Sequence, residues 1–561
     1  MSPTRSAGPF DHLIGAILAL CYVGALVATA PDLAMSRDES FYAYAAERYG
    51  AWFELLAKDP SAALERRALD HGWEYNHEHP PLMKTLFAWS WLAQKHWKPF
   101  PSDGTAIRFP AMALSGLFLW LLYVFGLRAR GRTVGLFAAF AFALMPRVFY
   151  HAHLDCFDMP IAFMLTLVTY AYWRSLSSGR WVVITGLVYG LALSTKHNAW
   201  ILPLVLLVHW VWMRVAARGE ALPRPARLPW WLLSMAALGV PLFVASWPWL
   251  WHDTWARWKW YASFHLHHVH YSMEYLGTTY WKPPMPISYP WVMTLFTVPL
   301  VTLVLALLGV VLLAPEWLPA PILRGLRLAP RFDSRQTAVL WLGTLLTPLV
   351  VISLPSTPIF GGTKHWFPAY PFVALFAGVG FERVLDACKR WNPLGPAWAD
   401  GAVAVGAFVA VLAAPLVETA HAHPFGLSYY TPIAGGIPGA ASLGMNRQFW
   451  GFTQGSLAPW FRDHLPNGGT VWICDATSWS WEMMQRDGLV PNNIRASSNL
   501  ASADYAIVHH EQHFAEVDNQ IWVAFGTVAP VHVLTYDGVP IVSVYENPRH
   551  HAAREAAAPR P

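Results

Sequence analysis

The sequence predicts a polytopic α-helical membrane protein with a small α/β domain outside the membrane near its C-terminal end. Three observations predict it. Only 13% of the 561 residues are charged and 55% are hydrophobic, against about 25% charge in a typical soluble protein. Apolar runs long enough to cross a bilayer recur between residues 13 and 418. From about residue 421 these runs stop, and short strand-like segments take over. The net charge of +5 reflects cations gathered between spans on one side, so it calls for no nucleic-acid partner. The four cysteines, Cys21, Cys156, Cys388 and Cys474, have no metal-type spacing and read as unpaired packing residues.

Residues 13–30 form the first apolar run. Its end, Ala28-Thr29-Ala30, has the form of a signal-peptidase site, but eighteen apolar residues are long for a signal core and sufficient for a span. Residues 31–107 read as a long amphipathic external loop, within which Leu82–Trp97 is a Trp-rich helix lying at the interface. Spans follow at about 110–127, 134–150, 159–173, 181–195, 198–213, 230–250, 290–313, 336–353, 366–382 and 400–418, eleven with the first. Short connections on one side hold Arg5, Arg128, Arg130, Arg132, Arg174, Arg180, Arg214, Arg218, Arg224, Arg227, Arg324, Arg327, Arg331, Arg335, Arg383, Lys389 and Arg390. The short opposite loops hold only Lys196 and Lys364. The excess of cations predicts a cytoplasmic N-terminus and an external C-terminus. Residues 1–420 then make a transmembrane domain, 421–548 an external α/β domain with strands near 470–474, 505–509, 528–535 and 540–545, and 549–561 a disordered tail.

The stretch Arg37–Leu82 organises the rest. It opens on Arg37-Asp38-Glu39-Ser40 and closes on Glu78-His79-Pro80-Pro81-Leu82. Acids held beside a membrane are costly to desolvate, so a functional reading comes first. Interfacial desolvation can move a carboxylate pKa toward the working range of a general base. The Pro80-Pro81 pair fixes an extended turn that presents Glu78 and His79 rigidly. Lys196, with no acid beside it in the sequence, calls for a counter-anion such as a lipid phosphate, or for snorkelling to the interface.

With Asp38-Glu39 after the first span and an acidic then a basic residue before Pro80-Pro81-Leu82, the chain resembles the family 39 glycosyltransferases of the GT-C fold. These include protein O-mannosyltransferases and lipid A aminoarabinose transferases. Further motifs carry the likeness: Arg108-Phe109-Pro110, Pro146-Arg147, His151-Ala152-His153-Leu154-Asp155-Cys156-Phe157-Asp158-Met159-Pro160, Gly190 to Lys196, and Lys364-His365-Trp366-Phe367-Pro368. The resemblance covers about residues 13–420. It implies an inverting transferase in the bacterial inner membrane, active on the periplasmic face. Such an enzyme moves a sugar from a polyprenyl-phosphate-linked donor to a hydroxyl of a glycan, lipid or protein. It implies Asp38 as base, Glu78 as the second loop carboxylate, Asp158 as the acidic residue of the second external loop, and Lys196 and Lys364 as basic positions near the cavity mouth. It also implies substrate contacts at Glu39, His79, Arg108, Arg147, His153 and His365. His79 departs from the family, where many members carry Lys. No cofactor is required, because cations can neutralise the leaving phosphate.

His265, His267, His268 and His270 offer a zinc site or, more simply, a polar cap over the sugar pocket, where Trp258, Trp260 and Trp281 suit sugar stacking or an interfacial belt. The competing classes are a transporter or lipid flippase, which calls for ionisable groups at mid-membrane and two related halves, and a noncatalytic scaffold. Neither related halves nor mid-span acids are present in the sequence.

Overall fold

The computed structural model describes residues 6–217, 223–331, 333–390 and 397–549. Arg5, Arg218 and residues 550–561 of the expected disordered tail lie outside the described residues. A helix or bent helix pair occupies each of the eleven expected span positions. Among the described residues, Pro9–Asp32, Asp103–Ala129, His197–Ala216 and Asp400–Ala422 are long and apolar enough to cross a membrane singly. Gly179–Leu193, Trp230–Ser246 and Thr337–Ile352 are apolar but shorter.

Two expected continuous spans are broken. The run 134–150 splits into Arg132–Ala143 and Pro146–His153, bent by 72°, and 290–313 splits into Tyr289–Thr297 and Leu300–Leu312, bent by 118°. Proline causes both. Pro146 opens the second helix of its pair, and Val298, before Pro299, is extended at φ −97°, ψ 131°, as the proline ring forces on its predecessor. The return helix Leu300–Leu312 then packs backbone to backbone on Tyr370–Arg390. A Cβ on Gly309 would collide with the Phe376 carbonyl, and one on Gly380 with the Leu305 carbonyl, the close approach that small residues allow between membrane helices.

The expected external loop 31–107 is largely helical, through Arg37–Lys58, Arg66–Trp73 and Leu82–Trp97. Asp38 therefore stands in the first turn of a helix rather than in a loop. Glu39 caps that helix by accepting the Ser36 amide at 2.8 Å.

The connections sort to two ends of the bundle. At one, Arg130 binds Glu316 at 2.5 Å and approaches Asp333 at 4.0 Å, and Arg335 donates to Ser177 at 2.7 Å. At the other lie the acids and lysines singled out above. There the hairpin β1 (Met273–Tyr275) and β2 (Thr278–Tyr280) meets the C-terminal sheet. That sheet has strands β3 (Gly469–Ile473), β4 (Ile494–Ser497), β5 (Tyr505–His509), β6 (His532–Tyr536) and β7 (Val539–Glu546), in the order β4-β3-β5-β7-β6. The strand β4 was not expected from the sequence, and the segment expected at 528–535 starts only at His532. β3 is parallel to β4 and β5, whereas β7 is antiparallel to β5 and β6. All four cysteines are unpaired.

Candidate active site

A cavity of about 1270 Å³ opens where the Arg37 helix, the turn before Leu82, the Lys196 and Lys364 segments and the carboxyl ends of β3 and β5 converge. Ligands commonly sit at the carboxyl ends of parallel strands. Besides the neighbouring Arg37 and Asp38, three cation–acid pairs that join separate parts of the chain line this cavity. Lys364 Nζ donates to Asp38 Oδ2 at 3.1 Å, Lys196 Nζ donates to Asp158 Oδ1 at 2.7 Å, and Arg37 binds Asp475. Both lysines thus have acid partners within the chain, so Lys196 does not need the outside anion that its sequence surroundings called for. Lys364 Nζ also sits over the Trp450 ring at 4.5 Å, a favourable cation–π position.

Asp38 is 19% exposed along its side chain. Burial alone raises its pKa, but Lys364 and Arg37 outweigh burial and hold it below the usual aspartate range. Asp38 is therefore a carboxylate throughout the physiological range. Glu78 faces the cavity and accepts from Asn76 Nδ2 at 2.8 Å. Its turn is fixed by Lys84, fully buried, whose Nζ donates to the Asn76 and His79 carbonyls at 2.5 and 2.8 Å. Burial lowers the Lys84 pKa to about 7 against the opposing charge of Glu78. The signal for Lys84 was present as a lone cation in the apolar run Leu82–Phe87.

His79 and His365 also line the cavity. Burial, reinforced by Lys196 and Lys84, holds His79 well below the ordinary imidazole range. Burial and Lys364 bring His365 down to about 3. Both rings are neutral near pH 7 and offer hydrogen bonds rather than charge.

Four expected contacts lie away from the cavity. Glu39 and Arg108, 0% and 2% exposed, form a two-armed ion pair at 2.7 and 2.8 Å, and Arg108 also donates to the Leu33 and Ala34 carbonyls. His153 bonds Thr29 Oγ1 and the Phe149 carbonyl, each at 2.8 Å. Arg147 lies behind the Lys364 segment, donating to the Tyr429 carbonyl at 3.3 Å with its guanidinium over Tyr430 and Phe449. None of these four side chains lines the cavity: Glu39, Arg108 and His153 tie neighbouring helices together, and Arg147 packs on the Tyr429–Tyr430 segment. The resemblance placed them near the site, but only packing decides which way a side chain points.

His265 and His268 line the cavity, and His265 stacks on His197 with ring centroids 3.9 Å apart. The histidines at 265–270 do not gather into a metal-ligand cluster among the described residues. Trp258, Trp260 and Trp281 are substantially exposed and do not line the cavity; Trp200 and Trp450 do. Sequence reasoning missed Arg37, Asp475, Glu511, His513 and Trp450 at the cavity wall. The last four belong to the C-terminal part, whose docking the sequence does not encode locally.

In sequence motif and in fold this chain resembles a class, the GT-C glycosyltransferases. Residues 78–249 match the family model described as dolichyl-phosphate-mannose-protein mannosyltransferase. No curated protein matches the chain by sequence. Among solved structures it shares the fold of the apo oligosaccharyltransferase from Archaeoglobus fulgidus, at 11% identity and TM-score 0.50 over 92% of this chain and 71% of that one. It is also similar to ArnT from Cupriavidus metallidurans bound to undecaprenyl phosphate, at 16% identity and TM-score 0.47 over 96% and 98% of the two chains. A third is the Archaeoglobus fulgidus oligosaccharyltransferase AglB with an inhibitory peptide and a dolichol-phosphate, at 11% identity and TM-score 0.48 over 92% and 71%.

Proposed function

We propose that this protein is an inverting glycosyltransferase that moves a sugar from a polyprenyl-phosphate-linked donor to an acceptor hydroxyl. The observation that carries the reading is the mixed lining of the cavity. It is lined both by the ionisable residues Asp38, Glu78, Asp158, Lys196 and Lys364 and by Leu165, Ile201, Leu202, Val205, Val351 and Ile352 from three apolar helices. Its volume, about 1270 Å³, exceeds the roughly 300–1,000 Å³ of ordinary small-molecule sites and suits a polar head joined to a hydrocarbon tail.

In this reading the acceptor oxygen attacks the anomeric carbon from the face opposite the phosphate. The bond from that carbon to the phosphate oxygen breaks, the lipid phosphate leaves, and the acceptor proton passes to Asp38. Lys364 and Lys196 turn from their carboxylates toward the phosphate and stabilise its growing charge. That turn has a second effect. Asp38 loses the ammonium that depresses its pKa, so donor binding itself strengthens the base. Glu78 and Asp158 orient the acceptor and the donor sugar.

The reading places eleven spans in the bacterial inner membrane, with the N-terminus cytoplasmic and the cavity and C-terminus periplasmic. A periplasm-specific reporter joined after residue 420 should be active, and one at Arg327 inactive. The opposite pattern overturns the topology and the site with it. Purified protein given polyprenyl phosphate carrying a labelled sugar, together with extracted envelope acceptors, should release free lipid phosphate and label an acceptor. Movement of intact labelled lipid between leaflets without bond cleavage would instead establish a flippase. Mass spectrometry of surface glycans from a deletion strain identifies whether a glycan, a lipid or a protein is the acceptor.

A further inference from the structure

Glu274, Glu511 and His513 come together from two distant parts of the chain. Glu274 lies in β1 of the external hairpin, and Glu511 and His513 follow β5 of the C-terminal sheet. His513 Nδ1 lies 3.0 Å from Glu274 Oε1 and 3.6 Å from Glu511 Oε2. One ligand atom from each of the three residues lies within 4.8 Å of the other two. A tetrahedral ion with bonds of about 2.0–2.2 Å separates neighbouring ligand atoms by roughly 3.4 Å, close to the two distances observed.

Two further features suit a bound cation. The first is charge. Glu274 and Glu511 have side chains only 3% and 6% exposed, and Asp475, 3% exposed, stands near Glu511. Three carboxylates buried this close together repel one another, and a bound cation offsets that repulsion. The second is an unfilled polar contact. Gln448, fully buried, touches Glu511 through its amide at 2.9 Å, and Asn446, 8% exposed, does so at 3.5 Å. Gln448 Oε1 and Asn446 Oδ1 both lack a hydrogen-bond partner among the described residues. Either amide, turned about its last bond, offers a neutral oxygen to an ion held by Glu511.

We propose that Glu274, Glu511 and His513 form a zinc site that fastens the external hairpin to the C-terminal sheet at the cavity wall. Mixed imidazole and carboxylate ligands suit a borderline divalent ion such as Zn²⁺ and disfavour Ca²⁺ and Mg²⁺, which prefer all-oxygen shells. The hairpin already meets this part of the chain through the Gly277 amide on the Gly444 carbonyl at 3.0 Å and the His513 amide on Glu274 at 3.1 Å. The ion would hold this contact closed, and it is assigned no part in the transfer step.

The test is Zn²⁺ binding by the full-length protein, purified in detergent without a histidine tag and stripped with chelator. One equivalent of Zn²⁺ should bind and raise Tm. Glu274→Gln combined with His513→Ala should abolish both effects, and Gln448→Leu should weaken binding by about 10–100-fold as loss of an outer partner. His267→Ala combined with His270→Ala should bind as wild type. A wild-type protein that neither retains Zn²⁺ nor gains Tm overturns the proposal. So does undiminished binding in the Glu274 and His513 double variant, or binding lost only with His267 and His270. Should the double variant fail to fold, the wild-type titration decides alone. Metal content and Tm are read without the transfer assay, so this proposal and the transferase reading stand or fall separately.

Discussion

Asp38→Asn should lower the rate of the proposed sugar transfer by about 10²–10⁴-fold, the usual contribution of a general base, while protein in the membrane and its melting should change little. The amide keeps an oxygen for Lys364, now 3.1 Å away, but cannot take the acceptor proton. Glu78→Gln, at the other acid facing the cavity, impairs transfer less. The loss corresponds to about 3–5 kcal/mol of barrier at roughly 1.4 kcal/mol per tenfold. Wild-type pH dependence carries the sign. The Asp38 pKa is depressed below its ordinary 3.8, so the carboxylate persists above that value and is lost only as pH falls through the lowered one. With Lys364 drawn away by the donor as proposed, the acid limb of kcat should lie at higher pH than the acid limb of kcat/KM. Near-wild-type turnover by Asp38→Asn with a lipid-phosphate donor rules Asp38 out and passes the role to Glu78 or Asp158.

Glu39→Gln and Arg108→Ala should act on the fold instead, each destabilising the protein by about 3–5 kcal/mol, the cost of leaving one member of a buried pair uncompensated. Adjacent position alone suggests that Glu39 substitution is milder than Asp38 substitution. The geometry reverses that expectation for stability: Glu39 is fully buried, takes both arms of Arg108 and caps its own helix. Burial raises the Glu39 pKa, and Arg108 more than reverses it. The stabilisation is therefore complete above the ordinary glutamate value of 4.5 and disappears as pH falls through the lowered one. Against a typical total of 5–15 kcal/mol, such a loss shows as low expression and a fall in Tm for protein extracted from membranes. A paired Glu39→Met, Arg108→Met variant recovers part of it, because neither charge is then stranded. Wild-type melting of Glu39→Gln would falsify the assignment of this pair to the fold.

The contrast between Asp38 and Glu39 separates what each level of description decides. The sequence alone determined the class of protein. Low charge, apolar runs and proline positions are local quantities, and the interfacial helix at Leu82–Trp97 came out at its observed bounds. It also picked the segments that meet at the cavity, since ionisable groups beside a membrane are rare enough to stand out. Two adjacent acids, however, carry the same local signal whether they face a cavity or a guanidinium. Only the packing of Asp103–Ala129 against the Arg37 helix turned Glu39 to Arg108 and left Asp38 to Lys364. The partners lie 69 and 326 residues away along the chain, distances over which no periodicity speaks. The same limit hid Asp475, Glu511 and His513, which come from a sheet whose position is set by docking on the Arg37 helix and the external hairpin. Sequence pattern reports how each segment meets solvent or lipid. Charge pairing depends on distances across the folded chain, and these exist only once the helices have packed.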